Sequence, residues 1–240
     1  MFKGTVLCLP RSEAIRYASA YLRQSGVPVT EKCAPDVTHL LLPVPSFPQG
    51  DTYLAHVLTE LPDDVIVSGG NLNSPLLEHY AAVDFLQDPF YQAQNAAITA
   101  DCAIQIVTEK YPQISDLRIL VLGWGRIGKC LGKKLEQLGA EVTISARKKT
   151  DLALIQALDH FPLPLEEVAQ NATYFDVIMN TVPALILPNL QARNDALILE
   201  LASKPGITGG NITEARGLPG KMAPERSGKL IAETFLRLSI

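Results

Sequence analysis

Short runs that are apolar throughout alternate along this chain with segments whose apolar positions recur at helical spacing. Thr5 to Leu9 reads as a strand and Arg11 to Ser25 as a helix closed by Gly26. Next come a strand at Thr38 to Leu42, a Pro-rich loop, a helix over Thr52 to Leu61, and a strand at Val65 to Val67 that ends at Ser68-Gly69-Gly70. Strands with no polar alternation suit a parallel sheet covered on both faces, because each side of every strand then meets apolar neighbours. Strand and helix repeating in this way predicts α/β layering.

A long helical stretch from about Pro89 to Tyr111, stopped by Pro112, predicts the connection between two domains. After it the pattern restarts at Leu117 to Leu122. Further strands are expected at Val142 to Ile144, Val177 to Met179 and Leu197 to Leu199, and a last helix at Ser227 to Leu238. The expected fold class is α/β with two doubly wound parallel-sheet domains. The first is a flavodoxin-like domain over residues 1–90, followed by a connecting helix over 91–115 and a Rossmann dinucleotide-binding domain over 116–224.

Composition narrows the function classes. With 240 residues, 47% hydrophobic and 19% charged, the chain is neither disordered nor a coiled coil. The net charge is −4 and no basic run exceeds Arg147-Lys148-Lys149, so no nucleic-acid partner is expected. No stretch approaches the roughly 18 uninterrupted apolar residues of a spanning helix, and Met1-Phe2-Lys3-Gly4 lacks a signal-peptide layout. A cytoplasmic protein with no membrane contact is expected. Cys8, Cys33, Cys102 and Cys130 form no Cys-x-x-Cys pair and have no histidine at ligand spacing, so no metal site is expected. Cys8 and Cys130 lie inside apolar patterns and read as buried thiols.

Gly123-Trp124-Gly125-Arg126-Ile127-Gly128 is a G-x-G-x-x-G in the right context. An apolar strand precedes it, a helix follows with Ile127, Cys130, Leu131, Leu135 and Leu138 on one face, and a second strand begins after Gly139-Ala140. Gly123 permits the tight turn, Gly125 lets the backbone approach a pyrophosphate, and Gly128 lets helix and strand pack closely. The helix N-terminus then presents free N–H groups and a positive dipole end to the phosphates. An NAD site places a carboxylate at the end of the second strand to hold the ribose 2′-OH. Ser145-Ala146-Arg147-Lys148-Lys149 stands there instead, and a hydroxyl followed by cations suits the 2′-phosphate of NADP, with NAD the alternative.

Four blocks carry a family resemblance: Gly123 to Gly128 with Ser145-Ala146-Arg147; Asn180 to Leu187; Leu199 to Gly206; and Gly217 to Pro224. Together they resemble the family of dipicolinate synthase A-type subunits, the dinucleotide-binding ones, and more distantly the 2-hydroxyacid dehydrogenases. The resemblance implies a nicotinamide-dependent oxidation of a dihydrodipicolinate-type ring dicarboxylate to pyridine-2,6-dicarboxylate, a chelator of sporulating bacteria. It also implies a partner, a flavoprotein-like B-type subunit, and a homo-oligomer such as a dimer is expected. As in the related dehydrogenases, residues 225–240 should return to the first domain and complete it. The chain departs from the family at Asp101-Cys102, where relatives carry Glu-Gly, and at Glu225, where lysine is common. Between Gly206 and Gly217 there is little room for both a helix and a strand.

The carboxyl ends of parallel strands are where ligands gather. Thr181, Val182 and Pro183 resemble the loop that lies along the nicotinamide ribose, and Trp124, Arg126 and Ile127 belong to the phosphate turn. Lys204 could hold a substrate carboxylate as a point charge. Asn95 and Asp101 on the connecting helix, with Ser68 at a strand end, complete the expected catalytic set; Thr99 shares a face with Asn95. His39, His56, His79 and His160 show no carboxylate partner in the sequence, so no acid–base dyad is expected. The alternative function is a non-catalytic dinucleotide-binding subunit or sensor acting through a partner protein.

Overall fold

The computed structural model describes residues 2–46 and 52–239; part of the expected Pro-rich loop, residues 47–51, lies outside them. The chain divides into two compact units, Met1–Ile98 with Pro219–Ile240, and Thr99–Leu218. The division falls inside the long helix rather than at its ends.

In the first unit the elements are β1 (Thr5–Cys8), α1 (Glu13–Gln24), β2 (Val29–Thr30), β3 (Val37–Leu41), α2 (Thr52–Thr59), β4 (Ile66–Gly69) and β5 (Ala82–Asp84). The long helix α3 spans Pro89–Lys110. The strands form a wholly parallel sheet of order β2-β1-β3-β4-β5. Leu7, Leu40 and Val67 are fully buried in its core with Leu54, Val57 and Leu58 of α2, as continuous apolar runs require.

The second unit carries β6 (Arg118–Leu122), α4 (Arg126–Gln137), β7 (Glu141–Ala146), α5 (Lys149–Ala157), β8 (Phe161–Pro164), α6 (Val168–Asn171), β9 (Val177–Asn180), β10 (Leu197–Glu200) and β11 (Ile212–Glu214). Its parallel sheet has the order β11-β10-β9-β6-β7-β8. Leu120, Leu122, Ile178 and Ile198 form the core with Val168, Ala172 and Phe175. The chain closes with α7 (Leu218–Met222) and α8 (Pro224–Ser239).

Helix α8 packs on α1 within the first unit. Gly228 makes that approach possible: a Cβ there would stand 2.3 Å from the Ala14 carbonyl oxygen and 2.6 Å from Tyr17 Cβ. Leu230, Ile231 and Phe235 of α8 are buried as a stripe, whereas Leu238 is exposed. Phe235 meets the rings of Phe2 and His39 at centroid distances of 5.5 Å.

Four strands go beyond those the sequence pattern predicts: β2, β5, β8 and β11. All four are sheet edges. An edge strand bonds on one side only, so it can be short, polar or proline-bearing, as Phe161-Pro162-Leu163-Pro164 is. The segment between Gly206 and Gly217 does supply a strand, β11, but no helix, so the short crossover holds half of what was in question. Helix α5 is likewise absent from the sequence expectation. Cys8 is buried, and burial pushes its thiol up to about 12. Cys130 is only partly buried, contrary to expectation. His79 lies in a turn after a single 3-10 turn.

Candidate functional site

The glycine turn is built as its spacing implies. Gly123 ends β6 with φ +101°, a conformation open to glycine, and its N–H donates to the Ser145 carbonyl at 2.9 Å. A Cβ on Gly128 would lie 2.0 Å from the Gly123 carbonyl oxygen, so only glycine lets α4 start this close to the strand. A Cβ on Gly125 would meet nothing within 4 Å, and the space beside it is open. Gly125 is also the N-cap of α4 and provides no side-chain cap. The first amides of α4 are therefore available to an anion. One detail differs: α4 buries Gly128, Leu131, Gly132 and Leu135, while Leu138 is exposed and Ile127 and Cys130 are partly so. Two glycines, invisible to an apolar count, turn the buried face.

A pocket of about 250 Å³ opens at the carboxyl ends of β6, β7 and β9, and Gly123, Trp124, Ser145, Arg147, Lys148 and Val182 of the expected residues line it. In the order β8-β7-β6-β9-β10-β11 this is the point where strand succession reverses, where such sheets bind ligands. Ser145 is 1% exposed and its Oγ has no hydrogen-bond partner. Arg147 and Lys148 are exposed beyond it. A nucleotide phosphate fits this cradle: open amides on one side, and an unused hydroxyl with two cations on the other. Asp151, on the first turn of α5, also lines the pocket. Sequence reasoning misses it, because it stands on a helix that the pattern does not announce.

Gly125, Thr181 and Pro183 lie on the same loops, and Arg126, Ile127 and Gly128 form the first turn of α4, without lining the pocket itself. The Thr181 hydroxyl donates to the Leu122 carbonyl at 2.8 Å, which ties the loop after β9 to the end of β6. Behind Trp124 sits buried His160, ring edge to ring face at 5.5 Å. His160 Nδ1 is paired with Glu136, and exposed His56 lies 3.5 Å from Glu60, so two histidines do have carboxylate partners. Glu136 is on α4 and His160 follows α5, which hides that pair from the sequence.

A second feature escapes the sequence entirely. Glu200, 1% exposed at the end of β10, accepts four hydrogen bonds. Oε1 takes Asn180 Nδ2 at 2.8 Å and the Ala202 N–H at 3.1 Å; Oε2 takes the Gly206 N–H at 2.8 Å and the Ile207 N–H at 3.3 Å. Asn180 in turn accepts from the Val182 N–H at 3.0 Å and donates to the Val182 carbonyl at 3.1 Å. One buried carboxylate thus holds both the Thr181–Pro183 loop and the loop bearing Lys204. A Cβ on Gly206 would lie 2.2 Å from Asn180 Nδ2, so this knot needs glycine there.

The four residues expected to be catalytic are not gathered in one unit. Ser68 and Asn95 belong to the first, Asp101 and Lys204 to the second. Ser68 is fully buried and its Oγ has no partner. Asn95 is partly buried and Thr99 buried on α3, Asp101 is ion-paired with Lys134, and Lys204 is exposed in its loop. Among the described residues no group of histidines, cysteines and carboxylates could hold a metal ion, and no helix is long and apolar enough to cross a membrane.

No family model matches the chain. The A subunit of dipicolinate synthase from Bacillus subtilis (strain 168) is 33% identical over 132 residues, covering 50% of this chain and 44% of that protein. This chain thus spans less than half of that relative's length in the alignment. Two crystal structures share the fold at 22% identity. The dipicolinate synthase A subunit from Bacillus halodurans superposes with a TM-score of 0.84 over 98% of this chain and 97% of that one. The A chain from Bacillus subtilis does so with 0.82 over 99% and 96%. The resemblance read from the four sequence blocks therefore holds: this chain is similar to the A subunit of dipicolinate synthase, in sequence over half its length and in fold over nearly all of it.

Proposed function

We propose that this chain is an NADP-dependent oxidoreductase subunit that converts a dihydrodipicolinate-type ring dicarboxylate to dipicolinate. The observation that carries the reading is the pocket at the ends of β6 and β7, where buried, unpartnered Ser145 Oγ stands before Arg147 and Lys148 beside an uncapped helix N-terminus. Gly123 to Gly128 would hold the pyrophosphate, with the amides of α4 donating to it. Ser145, Arg147 and Lys148 would take the 2′-phosphate. Thr181, Val182 and Pro183, fixed through Asn180 and Glu200, would orient the nicotinamide ribose.

A bound nicotinamide dinucleotide supplies the hydride acceptor. Loss of one hydride and one proton from the dihydro ring leaves an aromatic pyridine, which gives the step its direction. The protein's part is orientation, charge and exclusion of water. Lys204 would hold a substrate carboxylate as a point charge, and Asn95, Asp101 and Ser68 are the further residues assigned to the substrate. In this reading the protein is cytoplasmic, acts in spore formation as a homo-oligomer, and works with a flavoprotein-like B-type subunit. The second reading, a non-catalytic dinucleotide-binding subunit or sensor, is favoured by one observation: the Asp101 carboxylate is occupied by Lys134.

Thermal shift with NADPH and NADH, followed by turnover of the dihydro substrate with and without the flavoprotein-like partner, tests both. A ligand at a hundredfold excess over Kd stabilises the fold by about 2.7 kcal/mol. Gly125→Val should remove that stabilisation and leave the unliganded melting temperature nearly unchanged, because the open space beside Gly125 receives the side chain. NADPH binding without turnover under any pairing would select the sensor. Equal NADPH binding by Gly125→Val would sink the dinucleotide site.

A further inference from the structure

We infer that the first unit carries an anion site of its own, in which the Arg11 guanidinium takes one carboxylate of a ring dicarboxylate. The ring dicarboxylate as ligand rests on the function proposed above; the site itself rests on the fold of the first unit. In the order β2-β1-β3-β4-β5 the chain leaves β1 toward β2 and then returns to β3 on the other side. The crevice outside the carboxyl ends of β1 and β3 is therefore this sheet's own switch point, the position at which open α/β sheets bind ligands. Register places the strand ends level, with Cys8 beside Leu41 and Leu41 beside Ser68. Just beyond them come Leu9-Pro10-Arg11 and Leu42-Pro43-Val44.

Arg11 is held ready there. Its N–H donates to the Leu9 carbonyl at 2.7 Å in a tight turn, and its guanidinium lies over the Tyr53 ring at 4.1 Å from the centroid. Stacking uses the flat face of the group and leaves its N–H donors, which lie in the guanidinium plane, for a planar bidentate partner. Among the described residues Arg11 has no carboxylate partner, and the adjacent acid, Glu13, is paired with Arg16 at 2.7 Å. Pro10 and Pro43 contribute no N–H to this edge, and at the N-terminus of α1 the Ser12 Oγ accepts from the Ile15 N–H at 3.2 Å. The buried, unpartnered Ser68 hydroxyl lies one strand further along, at the end of β4.

The test is calorimetric titration of pyridine-2,6-dicarboxylate, pyruvate and inorganic phosphate into the full chain, wild type and Arg11→Ala, Arg11→Lys and Tyr53→Leu variants. NADPH titration serves as the control. Arg11→Ala should weaken the dicarboxylate at least tenfold, Arg11→Lys should recover part of the loss, and Tyr53→Leu should cost a few-fold, with NADPH affinity unchanged throughout. Should Arg11→Ala fail to melt cooperatively, the lysine variant and Tyr53→Leu decide. Arg11-dependent binding of pyruvate without the ring dicarboxylate keeps the site and removes the ring substrate from the proposed function. Dicarboxylate binding within twofold of wild type in Arg11→Ala, Arg11-dependent binding of phosphate alone, or no Arg11-dependent anion binding overturns the site, whatever NADPH does.

Discussion

Both units of this protein present a switch point at the carboxyl edge of a parallel sheet, and the two edges are finished in opposite ways. In the second unit the helix after the first strand begins at Gly125 with no side-chain cap, so its amides stay available. In the first unit the equivalent helix begins at Ser12, whose Oγ takes the Ile15 N–H, and proline flanks that edge at positions 10 and 43. One edge starts its helix with no side-chain cap, while the other caps the Ile15 N–H, has proline just beyond its strand ends and carries the Arg11 guanidinium. The comparison teaches that the same parallel topology can finish its carboxyl edges differently, because the N-cap residue decides how many of the first helix amides stay unpaired. A further contrast lies behind the edges: the loops of the second unit are held by a buried carboxylate, Glu200, whereas in the first unit a neutral hydroxyl, Ser46 Oγ, accepts from the Gly70 N–H at 2.9 Å and donates to the Pro43 carbonyl at 2.8 Å.

The largest expected effect breaks that contrast at its charged member. Glu200→Ala leaves the Ala202, Gly206 and Ile207 N–H groups buried without their acceptor and Asn180 Nδ2 with only the Val182 carbonyl, and each orphaned N–H costs about 1–3 kcal/mol. Denaturant unfolding should show a loss of at least about 3 kcal/mol, with NADPH binding weakened as the Thr181–Pro183 loop loosens. Unchanged stability would mean that the loops hold themselves.

Next comes the chemistry of the open edge. Ser145→Asp should lower the NADPH preference over NADH by more than tenfold, since it repels a 2′-phosphate and offers an acceptor to a ribose hydroxyl. Arg147→Ala removes charge-assisted hydrogen bonds worth about 1.5–3 kcal/mol, or roughly ten- to a hundredfold in NADPH affinity, and should leave NADH nearly untouched. Asp151→Asn should move the ratio the other way by a few-fold, because it removes the one carboxylate lining the pocket among the described residues. The ratio of dissociation constants at fixed ionic strength reads all three, and a wild type that prefers NADH would end the NADP assignment.

The smallest effects exchange the caps. Ser12→Ala should cost about 1 kcal/mol of stability and leave NADPH binding alone. Gly125→Ser should gain a few tenths of a kcal/mol while weakening NADPH, as the new hydroxyl competes for the amides of α4. If Gly125→Ser binds NADPH as well as wild type, the open helix end is not what holds the phosphates.

Much of this architecture is legible in the chain. The central strands are, because a strand bonded on both sides and covered on both faces must be apolar throughout, as Leu117 to Leu122 and Val177 to Met179 largely are. The glycine turn is legible because its glycines act within one contiguous stretch of chain. The edge strands β2, β5, β8 and β11 are not, since half of their bonding is unused and their composition is unconstrained. Nor is the buried face of α4, which is set by Gly128 and Gly132 against neighbours elsewhere in the chain.

What the sequence by itself determined is therefore whatever depends on near neighbours: period, caps, the glycine turn, and the absence of an acid at the end of β7. The tertiary structure alone decided which distant groups meet. It put Glu200 against Asn180, twenty residues away, by laying β10 beside β9. It set Asp151 in the pocket, His160 against Glu136, and Arg11 over Tyr53. Parallel pairing is the physical reason. It aligns strand ends that the chain separates by whole crossover connections, so the groups gathered at a carboxyl edge are neighbours in the sheet and strangers in the sequence.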